Sequence, residues 1–101
     1  MNIDDIAKKA LAAMKGVLHD NIDAVLGKKV GFALGLLVQT AIEINKPGID
    51  YLPGEKEMVL DHQKRAVRNV LLAQKGIDVA VAEQAINAAW DAIFEAVQAA
   101  V

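Results

Sequence analysis

The chain lacks cysteine and serine altogether, and it has few aromatic residues. Without cysteine it can form no disulfide bond, no thiolate site for zinc and no cysteine nucleophile. Without serine it can form no serine–histidine–aspartate triad, and no Gly-Lys-Ser/Thr phosphate loop is present. We therefore expect a protein that is not an enzyme and that uses no cofactor. Helix N-caps must come from Asp and Asn.

The chain also has no strong excess of positive or negative charge. The chain has 11 basic and 13 acidic side chains, for a net charge of −2, which does not favour nucleic acid or an anionic membrane as partner. Hydrophobic residues make up 54% of the chain while aromatic residues make up 4%. Most of this excess is alanine, valine, leucine and isoleucine, a composition typical of helices with many small contacts.

Apolar residues recur at three- and four-residue spacings along most of the chain, whereas no segment alternates with the period of a strand. The spacing predicts four helices: from 3 to about 15, from 20 or 21 to about 44, from between 53 and 55 to 74 or 75, and from about 78 to 101. Both prolines fall in a predicted loop over 45–54. We expect a single all-α domain over 1–101, built as a small four-helix bundle or as two stacked helical hairpins.

Three glycines recur every fourth residue in the second helix: Gly27, Gly31 and Gly35. They share one helical face, and small faces allow two helices to pack closely. The apolar run from Val30 to Ile44 has about fifteen residues, whereas a membrane span needs roughly twenty. We interpret the glycines as a tight helix crossing inside a bundle, with the second helix buried on most sides. Whether Gly27 interrupts that helix is left open.

The fourth helix has an unusually broad apolar face. Its candidate partner surface comprises Ile86, Trp90, Phe94, Val97 and Val101. Trp and Phe are favoured anchors of protein interfaces, so a protein partner or a second copy could cover this face. The alternative is that the bundle itself covers these side chains.

The third helix after Asp61 carries only basic charges, and the fourth helix carries only acidic ones. The third has Lys64, Arg65, Arg68 and Lys75, and the fourth has Asp78, Glu83, Asp91 and Glu95. We expect ion pairs across an antiparallel hairpin; the alternative, a DNA-binding helix-turn-helix, would need an acidic helix to enter a groove lined with phosphates.

Both histidines have acidic neighbours, which could suggest a metal site: His19 is four residues before Asp23, and His62 lies beside Asp61. His62 follows Asp61 directly, so the two side chains point about 100° apart around the helix, and Glu57 is four residues before Asp61. Arg65 is four residues after Asp61, and an ion pair between them is the favoured interpretation. No metal ligand is predicted.

Four stretches, which span roughly the last two-thirds of the chain, show a further pattern: ALGLLVQTAIEI (33–44), PGIDYLPGEKEM (47–58), VRNVLLAQKGIDV (67–79) and AEQAINAAWDAI (82–93). Together they resemble the soluble helical region of the LLH family of bacteriophage holins. Those holins open with a transmembrane helix, in whose place this chain has an amphipathic helix. The resemblance implies a phage or prophage origin and a helical assembly module without pore formation.

The leading hypothesis is a non-enzymatic assembly or interaction protein, either a virion component or a lysis-cassette accessory. It would act in the cytoplasm of a bacterial host or in the virion. Two alternatives stay open: a small inhibitor of a host protein complex, and a peripheral membrane protein that uses the first helix or the glycine face.

Overall fold

The computed structural model describes residues 2–46, 48 and 50–100. Within them the chain forms four α-helices and no strand, which confirms the predicted all-α class. The helices are α1 (Ile3–Leu18), α2 (Ala24–Ile44), α3 (Glu55–Leu72) and α4 (Val79–Ala100), with a 3₁₀ turn over His19–Asn21.

Three of the helices begin at an Asn or Asp side chain, as expected for a chain without serine. The carboxyl or amide oxygen accepts a hydrogen bond from a backbone N–H in the first turn, at 2.7–2.9 Å. The N-caps are Asn2, Asp23 and Asp78. The expectation that α2 begins near residue 20 was wrong, because the 3₁₀ turn occupies residues 19–21.

Glycine does not end or interrupt either of the first two helices. α1 continues through Gly16 to Leu18, since Met14 and Leu18 are both fully buried and hold the last turn against the core. α2 is continuous through Gly27, so the open question about this residue is answered. α3 ends at Leu72, earlier than expected, and Gly76 has a φ of 96° in the turn that follows.

The helices pack as a bundle in which each contacts the next along the chain, and α1 closes the ring against α4. The α1–α4 and α2–α3 contacts are the most extensive, and α2 also touches α4 across the core. Of the two predicted architectures, this arrangement is the four-helix bundle. The largest fully buried side chains include Met14, Leu34, Leu37, Leu71 and Ile93.

We expect the Asp23 cap to contribute measurably to stability. Asp23→Ala removes the 2.7 Å hydrogen bond to the Leu26 N–H and should lower the free energy of unfolding by about 1 kcal/mol in urea denaturation. Asp23→Asn removes the same charge but keeps an accepting oxygen, so it should stay within a few tenths of a kcal/mol of the original chain. Equal losses in both variants would contradict this and assign the effect to charge.

Candidate interaction surface

The predicted partner surface on α4 is largely covered by the bundle itself. Ile86 and Val97 are 3% and 1% exposed, so the prediction that they face a partner is wrong. The physical reason is that α4 packs along α1 in the most extensive helix contact of the bundle and also contacts α3 and α2. Val101 lies outside the described residues.

The two aromatic residues of that surface lie at the edge of the bundle. Phe94 is 50% exposed, and its ring centre is 6.2 Å from that of Trp90, which is half-buried. The Lys64 Nζ atom lies 4.6 Å from the centre of the Trp90 ring, within the range of a cation–π interaction. Trp90 therefore has a partner inside the chain, and only Phe94 stays open.

The glycine face is not a tight helix crossing. A Cβ atom built on Gly27, Gly31 or Gly35 would meet no heavy atom within 4 Å outside its own helix turn. The interpretation of these glycines as close packing was therefore wrong. They lie at the border between the buried and open sides of α2, where no second backbone approaches.

One side of α2 is instead an exposed apolar surface that the sequence interpretation missed. Val25, Phe32 and Leu36 are 64%, 75% and 42% exposed, and we name them the α2 outer face. Their spacings of seven and four residues align them in one stripe. The expectation that α2 is buried on most sides was wrong, because its neighbours α1 and α3 cover only its inner half.

A groove between α1 and α2 borders this surface and has a volume of about 350 Å³. It is lined by Ile3, Asp4, Ala7, Lys8, Leu11, Gly31, Phe32, Gly35, Leu36 and Gln39. Its lining is mostly apolar, with one acidic and one basic side chain on α1. The groove is deep at Gly31 and Gly35 because these residues have no side chain to fill it.

The opposite charges of α3 and α4 meet as expected at one point. Arg68 Nη1 lies 3.2 Å from Glu83 Oε1, while Arg65 Nε pairs with Asp61 Oδ2 at 3.0 Å within α3. Both pairs are well exposed, so each contributes at most about 1 kcal/mol. Arg65 and Arg68, two of the basic side chains that a DNA-binding helix-turn-helix would use, are therefore paired with acidic side chains of the same chain.

The residues that the structure describes contain no group of three or more His, Asp or Glu side chains that could hold a metal ion. α2 has 21 residues and is, by length and composition alone, apolar enough to cross a membrane, a property that core helices of soluble proteins share.

Comparison with known proteins found no matching family model, no matching curated protein and no matching solved structure.

Because the space around Gly31 is open, we expect a substitution there to stabilise the protein. Gly31→Ala should raise the free energy of unfolding by about 0.5–1 kcal/mol, because alanine restricts the unfolded chain and meets no obstacle in α2. Gly54→Ala is the contrasting control, since Gly54 has a φ of 80° and should lose stability. Both are measured by urea denaturation, and a destabilised Gly31→Ala variant would restore the close-crossing interpretation.

Proposed function

We propose that this chain is a non-enzymatic helical assembly protein that acts through protein–protein contacts at the α2 outer face. The exposure of Val25, Phe32 and Leu36 on one helix side carries the proposal. The resemblance of residues 33–93 to the holin family adds a phage or prophage origin, with a role in the virion or in a lysis cassette of the host cytoplasm.

The energetic argument rests on Phe32 and Leu36. Full burial of one large apolar side chain is worth roughly 1.5–3 kcal/mol. Phe32 is 75% exposed and gains little of this in the separate bundle, and Leu36 is 42% exposed and gains only part of it. The core does not need them, since α2 already buries Leu34, Leu37 and Val38 completely. An apolar stripe beside an apolar groove is the kind of surface that marks an interaction site.

The polar side chains near this surface support binding more than catalysis. Asp4 and Lys8 are the only charged groups that line the groove within the described residues, and they are far fewer than the apolar atoms around them. Groups of this kind fix the orientation of a partner at the rim of an interface.

A second candidate function is attachment to a membrane surface, because α2 is long and apolar. Against it, 39% of its most apolar window is buried inside the bundle, so insertion would require α2 to leave α1 and α3. Lys28 and Lys29 also interrupt the outer side of the helix. The protein-contact function needs no such rearrangement.

Photo-crosslinking in living bacteria that produce the full chain tests the proposal. A benzophenone side chain replaces Phe32 in one variant, Phe94 in a second and the exposed polar residue Gln84 in a third. We expect protein adducts at position 32 at several times the level at position 84, with position 94 between them. Equal yields at positions 32 and 84 would contradict the proposal.

Vesicle co-sedimentation separates the membrane alternative. Purified protein is mixed with phosphatidylcholine vesicles, with and without phosphatidylglycerol, and compared with Phe32→Asp. The proposed function expects the protein to stay in the supernatant in every mixture. Sedimentation of the original chain that Phe32→Asp abolishes, together with lipid adducts at position 32, would overturn it in favour of membrane attachment.

A further inference from the structure

We propose that the partner of the α2 outer face is a second copy of this chain, bound with its α2 antiparallel to the first. The inference rests on the proposed function and adds the identity and geometry of the partner. It is carried by two independent observations, the shape of the surface and the order of charges along it.

The shape of the surface fits a copy of itself. Phe32 is 75% exposed and protrudes beside the groove, whose wall on α2 lacks side chains at Gly31 and Gly35. A two-fold interface must be self-complementary, which requires a protrusion and a depression on the same patch. With the two-fold axis level with Leu34, Phe32 of each copy lies opposite Leu36 and beside Gly35 of the other.

This arrangement also brings the two grooves together. A two-fold axis perpendicular to both α2 helices places α1 of each copy on the same side of the helix pair. The groove side of each α2 therefore faces the groove side of the other. Ile3, which is partly exposed at the end of the groove, then gains cover from the second copy near Val25.

The charges favour the antiparallel orientation over the parallel one. Lys28 is four residues before Phe32 and seven before Gly35, so it lies toward the groove side of α2 at one end of the patch. Asp4 lines the opposite end of the groove, together with Gln39, while Lys8 lines it one helical turn further along α1, nearer the middle of the groove.

In an antiparallel pair, Lys28 of each copy is level with residue 40 of the other, and thus meets the Asp4 end of its groove. A parallel pair would place the two Lys28 side chains against each other. Antiparallel helix dipoles also attract. Charged pairs at the rim of an interface determine its orientation more than its affinity.

Sedimentation velocity over a concentration series tests the inference with charge reversal. The original chain should show a monomer–dimer equilibrium, and Phe32→Asp should be monomeric. Lys28→Glu or Asp4→Lys should each raise the dissociation constant roughly ten-fold, because the symmetry doubles every change. The double variant Lys28→Glu/Asp4→Lys should return close to the original value. Lys9→Glu makes the same change of charge on the side of α1 that borders α4, away from α2, and should have no effect.

Circular dichroism on heating checks that each variant keeps its fold. If Asp4→Lys weakens the start of α1, Asp4→Asn replaces it and should weaken the dimer by a smaller factor. A double variant no better than either single variant would overturn the proposed charge pairing. A monomeric original chain would overturn self-docking; protein adducts at position 32 would then still support the proposed function with a different partner.

Disulfide trapping tests the orientation directly, since the chain has no cysteine of its own. Lys28→Cys and Gln39→Cys change exposed polar residues at opposite ends of the patch. After the two variants are mixed and oxidised mildly, the antiparallel pair should give mainly the mixed disulfide between positions 28 and 39. Mainly 28–28 and 39–39 disulfides would show a parallel pair and overturn the proposed orientation.

Discussion

The packing of α1 against α4 through small side chains is the contact on which the rest of the bundle depends. α4 buries Ala82, Ala85 and Ala89 completely, and α1 contributes the fully buried Ala10. The distance between two packed helices follows the size of the side chains between them, so alanines allow a close approach. This pair makes the most extensive helix contact of the molecule, while the large ring of Trp90 stays half-buried, with the ammonium group of Lys64 over its face.

Each helix in a ring of four has two direct neighbours, and the arc opposite the core faces solvent. For α3 this arc is rich in charged residues and needs no cover. α2 is different, because its composition is apolar nearly all round while its neighbours cover only the inner half. The apolar surface of this protein is therefore a consequence of topology: the most apolar helix lies in the ring between α1 and α3 and makes a small contact with α4, so its outer side stays uncovered.

Sequence periodicity and capping chemistry predicted the class, the number of helices and most of their bounds. They failed on which apolar face stays open, because periodicity shows that a helix has a broad face and does not show how many neighbours will cover it. Ile86 and Val97 were assigned to a partner for this reason. A signal for the correct face was present: Lys28 and Gln39 are four residues before and seven after Phe32, so charged and polar groups already marked that side of α2 as solvent-facing.

The even number of antiparallel helices has a consequence for how the chain could be reconnected. The short segments 19–23 and 73–78 meet at one end of the bundle, where Asn21 Oδ1 lies 3.4 Å from the position a Cβ of Gly76 would take. Residues 2 and 100 therefore lie at the opposite end, alongside the last turn of α2 and the first turn of α3. A circular permutant that links the two ends and opens the connection between α2 and α3 would keep all four helices in place. Its new termini, and any protein fused to them, would lie at one end of the bundle and would not cover the sides of the helices.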